Sequence, residues 1–299
     1  MHDIIEENHR NGDCMSEIKL TLAAFSDEAS DRLAGQITAL KRNGLSHMEI
    51  RGGEKINCAD LKAEQAKEIR KAMDDAGMKI KTVGSPIGKI NITDDFDGEM
   101  EKFLRLTETA EILGAEKIRI FSFYRNEVLE EQAGQQIALA RLRKLADRGG
   151  DLILCHENEK GIYGDGWEFC RTICREIPKI KAVFDPANFV QCGVDTLRAW
   201  LELKEYTEYL HLKDALATGV VVPCGDGIGN VPYILGDYLD RGGRFATLEP
   251  HLAKFTMKKQ LEKEADETCN YSFADPDEAF DAAVAAVRKI LDGKGVVAQ

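Results

Sequence analysis

Short apolar runs and helically spaced apolar stretches alternate along this chain from residue 18 almost to its end. The first run, at 19–25, is followed by Ser26-Asp27-Glu28 and then by apolar positions at Leu33, Ile37 and Leu40, a helical spacing that Asn43-Gly44 ends. The same couple recurs seven more times. Strands are predicted at 47–51, 79–84, 117–122, 152–155, 182–185, 209–214 and 245–249. Helices are predicted at 60–76, 97–113, 129–148, 166–175, 195–203, 232–241 and 277–291, several of them stopped by glycine. Apolar runs without polar alternation fit strands covered on both faces, as in a parallel sheet. Eight strand–helix units fit a single closed α/β barrel, (β/α)8, better than an open doubly wound sheet. No linker or low-complexity tract breaks the pattern. Residues 1–17 are expected to be a flexible extension or, given Met15, to include a misplaced start. The barrel is expected over 18–293, with a short tail at 294–299. The polar loop at 251–275 is long enough to serve as a lid over a site, with a plain exposed excursion as the alternative.

Composition narrows the function. A chain of 299 residues with 43% hydrophobic and 31% charged positions is globular, and its formal charge of −12 argues against a nucleic-acid partner. No apolar run approaches the ~20 residues a membrane helix requires, and the N-terminus lacks a signal-peptide core. The eight cysteines are scattered without a C-x-x-C pair, which suggests reduced thiols in the cytoplasm. Cys170 and Cys174, one helical turn apart, are assigned to packing. A homo-oligomer is compatible with this composition.

Candidate chemistry lies at the ends of the last four strands. Leu152 to Cys155 breaks into His156-Glu157-Asn158-Glu159, and the next three runs end in Asp185, in His211-Leu212-Lys213-Asp214 and in Glu249. Polar groups beside a core are costly unless something binds them, and barrel chemistry sits at C-terminal strand ends. Glu157, Asp185, His211 and Glu249 are therefore read as ligands of one divalent cation. Three carboxylates and one imidazole favour Mn²⁺, Mg²⁺ or Co²⁺, with zinc admitted. Taken singly, each acidic residue could be no more than a helix N-cap. Lys213 is expected to touch a substrate oxygen in slight preference to pairing with a carboxylate, and Ser85 and Lys89 line the third loop as candidate substrate contacts, with a solvated loop as the favoured reading. His156 has the opposite strand parity and is balanced between supporting the site and packing. Gly225-Asp226-Gly227-Ile228-Gly229 lacks dinucleotide spacing and reads as a flexible loop where barrels sometimes hold phosphate. Glu49 and Arg119 share interior parity and are expected to pair with each other.

Glu157-Asn158, Phe184-Asp185-Pro186-Ala187-Asn188, His211-Leu212-Lys213-Asp214, Pro223-Cys224-Gly225-Asp226-Gly227 and Leu248-Glu249-Pro250-His251 together resemble the xylose-isomerase-like barrel superfamily. The likeness spans the chain from about residue 18. Its members include sugar (phosphate) isomerases and epimerases, hydroxypyruvate isomerase, inosose dehydratase and endonuclease IV. The resemblance implies that the four candidate residues bind metal and that Glu157 and Glu249 act as acid and base on opposite faces of a small carbohydrate. It implies an isomerase or epimerase working by proton abstraction and a metal-stabilised enediolate, with a sugar, keto-sugar or sugar phosphate as substrate. The alternative is a lyase on the same scaffold, a dehydratase or a C-glycoside-cleaving subunit. A nuclease of the endonuclease IV kind needs many histidines, one of them where this chain has Asn188. Only six are present, two of them (His2, His9) in the N-terminal extension. Ketose 3-epimerases also tend to carry histidine where Asn188 stands, and Asn188 is a candidate substrate contact.

Overall fold

The computed structural model describes residues 18–255 and 273–298. The extension expected at 1–17 lies outside these residues, as does most of the long loop proposed as a lid. Eight parallel strands form the centre: β1 Ile18–Ala24, β2 His47–Ile50, β3 Lys79–Gly84, β4 Lys117–Ile120, β5 Ile153–Glu157, β6 Ile180–Phe184, β7 Thr207–Leu212 and β8 Phe245–Leu248. Each pairs with the next, and β8 returns to β1 from Thr21↔Phe245 to Ala24↔Leu248, closing the sheet. The fold is a single (β/α)8 barrel, as the alternation predicted.

The surrounding helices are α1 Leu33–Arg42, α2 Ala63–Asp75, α3 Phe96–Leu113, α4 Glu131–Arg148, α5 Trp167–Glu176, the short α6 Pro186–Gln191, α7 Thr196–Leu203, α8 Val231–Asp240 and α9 Pro276–Asp292. Their ends follow local chemistry. Asp95 caps α3 by accepting from the amides of Asp97 and Gly98, and Gly114 closes it in the left-handed region. Asp275 caps α9, with Pro276 in the first turn.

Strand alternation sorts side chains into two layers. Leu22, Met48, Ile118, Leu154, Leu210 and Ala246 join the main core with helix residues such as Leu40, Met73, Phe103 and Leu142. Inside the barrel, Cys155, Val183 and Tyr209 form a small separate cluster with Ile153 and Phe245. Above that plug the interior turns polar, with Glu49, Arg119, Glu157, His211 and Thr247 all buried. A closed barrel buries this face whatever lines it, so the polar side chains must satisfy one another or a ligand.

One boundary differs from the sequence reading. Val296–Ala298, expected as part of a tail, form β9 alongside Ile18, Lys19 and Leu20. The cause is the register of closure: β8 begins opposite Thr21, so the first residues of β1 have free ladder groups for another strand to take.

Candidate metal centre

Four neighbouring strands deliver the predicted ligands to one place. Glu157 ends β5, Asp185 follows β6, His211 lies near the end of β7 and Glu249 follows β8. One donor atom from each lies within 4.8 Å of every other, and all four residues are buried. The N-cap reading of Asp185 holds for one oxygen only: Oδ1 accepts from the Asn188 amide at 2.9 Å, capping α6. Oδ2 sits 2.9 Å from Lys213 Nζ, but off the direction of a hydrogen bond, and has no hydrogen-bond partner among the described residues. A buried carboxylate oxygen left in this state is a ready metal donor.

Charge points the same way. Asp27, Glu28, Glu49, Glu157, Asp185 and Glu249 are buried around the barrel mouth with Arg51, Arg119 and Lys213. Carboxylates outnumber permanent cations two to one. Burial pushes the Asp185 carboxyl up to about 8 against the pull of Lys213, and pushes Glu28 up to about 7 against Arg51. Burial also raises Glu157, but His211 and Arg119 overcome it and hold that carboxyl down at about 2. Glu249 is likewise held low, by Lys213 and then by His251, in spite of burial. Burial disfavours a charged imidazole, yet Glu157 and Glu49 raise His211 well above the usual histidine range. A site that borrows protons to offset buried negative charge fits a divalent cation in composition and in charge.

Each glutamate is fixed by an arginine. Arg119 Nη1 donates to Glu157 Oε2, while Glu157 Oε1 lies 2.8 Å from His211 Nδ1 and 3.3 Å from the Asn188 side-chain nitrogen. Arg51 Nη1 donates to Glu249 Oε1 at 3.2 Å, and Glu249 Oε2 lies 3.2 Å from Lys213 and 3.3 Å from His211 Nδ1. Both arginines lie against Phe25, Arg51 at 4.1 Å and Arg119 at 5.6 Å from its ring centre. Phe25 has room because Gly84 stands opposite, where a Cβ would come within 2.4 Å of the ring.

The expected Glu49–Arg119 pair is therefore corrected. Glu49 accepts from the Tyr209 hydroxyl at 3.0 Å and lies 3.3 Å from His211 Nε2. A neutral His211 with its proton on Nε2 donates to Glu49 and turns the Nδ1 lone pair toward the three carboxylates, an orientation typical of metal-binding histidines. Arg51 was not assigned a role from sequence. It contacts Asp27, Glu28 and Glu249 and is 1% exposed. A second trio, Glu28, Glu249 and His251, also brings its donor atoms together, but the Arg51 guanidinium already contacts all three.

The other predicted residues fall differently. Lys213 reaches the cluster, as above. Asn188 faces Glu157 and also donates to the Asn158 carbonyl at 2.8 Å, so in this arrangement it props a ligand. Ser85 is fully buried: its hydroxyl donates to the Arg119 carbonyl and accepts from the Ile87 amide, which corrects its placement as a substrate contact. The third and fourth loops are zipped by backbone bonds, Phe121 to Ile87 and Phe123 to Gly88, so Ser85 serves that seam. Lys89 pairs with Glu159 at 2.9 Å over the Phe121 ring. His156 points away from the cluster, as its parity required. Burial lowers its imidazole to about 4, and neither ring nitrogen has a partner among the described residues.

The glycine loop after β7 is not a flexible arm. Asp214 accepts from the amides of Ala215, Gly225, Gly227 and Gly229, and a Cβ at Gly227 or Gly229 would collide with its carboxylate. The strand-end Asp214 that organises it was quoted in the sequence motif without a role. Chemistry, not volume, locates the centre: a cleft of about 560 Å³ lies at the opposite end of the barrel, lined by Lys117, Lys204, Glu208 and Arg244 among others.

Comparison with known proteins agrees with the barrel fold. No curated protein matches the sequence. Among solved structures, a probable 3-DHS dehydratase, AsbF, from Bacillus anthracis aligns over 91% of this chain and 99% of its own, with a TM-score of 0.69 and 16% identity. The IolI protein, solved with a bound zinc atom, aligns over 92% and 99%, with a TM-score of 0.70 and 14% identity. A D-psicose 3-epimerase from Clostridium cellulolyticum H10, solved with D-tagatose, aligns over 91% and 99%, with a TM-score of 0.66 and 12% identity. These likenesses are of fold. Residues 37–271 match the xylose isomerase-like TIM barrel family by sequence, and the chain belongs to that family.

Proposed function

We propose that this protein is a divalent-cation-dependent isomerase or epimerase of a small hydroxycarbonyl compound, a sugar or keto-sugar. One observation carries the reading: two glutamates flank His211 Nδ1, each with one oxygen toward a shared point and the other fixed by an arginine. Glu157, Asp185, His211 and Glu249 would hold the cation, and their hard donors favour Mn²⁺, Mg²⁺ or Co²⁺ over zinc. When bound, the cation supplies Lewis-acid polarisation of a substrate carbonyl. Arg119 and Arg51 hold both glutamates in register, Arg119 helps keep Glu157 ionised and Lys213 does the same for Glu249, and Glu49 fixes the His211 ring. One glutamate takes the proton from the carbon beside the carbonyl and the other returns one to the rearranged substrate. The free cysteines, five of the six described being buried, support a reducing, cytoplasmic setting. No helix among the described residues is long and apolar enough to cross a membrane.

A lyase reading is kept on a specific ground: the Lys213 ammonium, beside Asp185 and Glu249, is placed to protonate a departing hydroxyl. Both reactions begin with the same proton removal. Incubating the cation-loaded protein with ketoses, inososes and 3-keto-glycosides in D₂O should put deuterium on the carbon next to a carbonyl. Retention of every oxygen identifies isomerase or epimerase, and loss of water or an aglycone identifies the lyase. Turnover of a substrate with no solvent deuterium at that carbon would refute proton abstraction.

A further inference from the structure

This step rests on the functional reading above and deepens it at the cation. We propose that Tyr209 is a positioning residue that sets how tightly His211 holds the cation, acting through Glu49. Tyr209 and His211 lie two residues apart on β7, so their side chains share the interior face. Each takes one oxygen of the same carboxylate: the Tyr209 hydroxyl donates to Glu49 Oε1 at 3.0 Å, and His211 Nε2 lies 3.3 Å from Glu49 Oε2. Glu49 comes from β2, so one strand clamps a carboxylate delivered by another. All three side chains are fully buried.

The chemistry of the clamp matters. Glu157 and Glu249 each accept from an arginine, a partner that draws on their charge. Among the described residues, the hydrogen-bond partners of Glu49 are a hydroxyl and an imidazole. A neutral donor fixes one oxygen and leaves the carboxylate's charge to act through the other, which faces Nε2. A carboxylate so placed holds the histidine proton on Nε2 and makes the opposite nitrogen a better ligand, and losing such a partner typically weakens metal binding ~10–100-fold. Burial raises the Tyr209 hydroxyl well above the ordinary tyrosine range, so it stays a donor. The ring is seated independently of the hydroxyl, 5.3 Å from the Phe245 ring and 5.4 Å from the His211 ring, with Cys155 and Val183 in the same cluster. The apolar plug of the barrel thus fixes the height of the hydroxyl, and the hydroxyl fixes Glu49.

The test is titration calorimetry of Mn²⁺ and Mg²⁺ into the full chain and into its Tyr209→Phe, Glu49→Ala and doubly substituted variants, each stripped of metal and first shown to be folded. Tyr209→Phe keeps the ring, removes one oxygen and should weaken cation binding by about 10-fold. In the Glu49→Ala background the same substitution should change the affinity by less than about twofold, because the hydroxyl then has nothing to act through. A tyrosine that serves only to support the fold would lower the stability of the stripped protein without changing its cation affinity, or would weaken binding equally in both backgrounds. Either result overturns the proposal. If Glu49→Ala does not fold, Glu49→Gln takes its place: the amide has no charge for the hydroxyl to orient, and the effect of Tyr209→Phe should again fall below about twofold. A wild type that binds no divalent cation removes the functional reading and this step with it, whereas cation binding indifferent to Tyr209→Phe removes this step alone.

Discussion

Replacing Arg119 with methionine is expected to lower the unfolding free energy by about 3–5 kcal/mol, the cost of breaking a buried ion pair from one side. Arg119 is 3% exposed, and its partner Glu157 is 1% exposed. The guanidinium also donates to the Ser85 carbonyl at 3.2 Å and stacks 4.5 Å from the Phe121 ring centre. Methionine keeps the stem's packing and removes the charge, so the loss is chiefly the stranded carboxylate. Chemical denaturation should be run with chelator, because a bound cation would itself stabilise Glu157. Combining Arg119→Met with Glu157→Gln should recover much of the loss. A single variant as stable as wild type would show that the pair contributes little and that Glu157 does not depend on it.

The second large effect is on turnover. Glu249→Gln should reduce kcat by at least ~10²-fold, the lower range for a positioned acid–base group. The shape is conserved, and the amide oxygen can still accept from Arg51. Its nitrogen must then face Lys213, from which Oε2 now accepts. That swaps an attractive contact for a repulsive one and should also weaken cation binding. Activity is therefore to be compared at saturating cation, with occupancy measured on the same sample. Wild-type turnover by a cation-replete Glu249→Gln would exclude this glutamate from proton transfer.

Strand parity made much of this legible in the sequence. It put Glu157, His211 and Glu249 on the interior and His156 on the outside, and all four lie there. Parity does not report depth, and that is why Glu49 was matched with the wrong partner. Barrel strands are staggered, so Glu49 is level with Thr82 and Lys117, while Arg119 is level with Gly84, two residues higher. The long Arg119 side chain reaches upward to Glu157, and Glu49 is left to Tyr209 and His211. Arg51 was readable by the same logic, because it ends the second strand with the parity of Glu49. Asp27-Glu28 and Asp214 also stand just beyond strand ends. Their partners lie far away in sequence, in loops whose course periodicity cannot give. Ser85 and Asn188 stand just beyond strand ends, but what they touch depends on how neighbouring loops zip together.

Elemental analysis of the purified, dialysed protein, paired with titration calorimetry of added Mn²⁺, Mg²⁺, Co²⁺ and Zn²⁺, tests the central claim most directly. The account predicts one divalent ion per chain, with binding abolished in His211→Ala and Asp185→Ala and retained in His156→Ala, whose side chain points away. Three tightly bound zinc ions per chain, or no divalent cation bound at all by a folded protein, would contradict it.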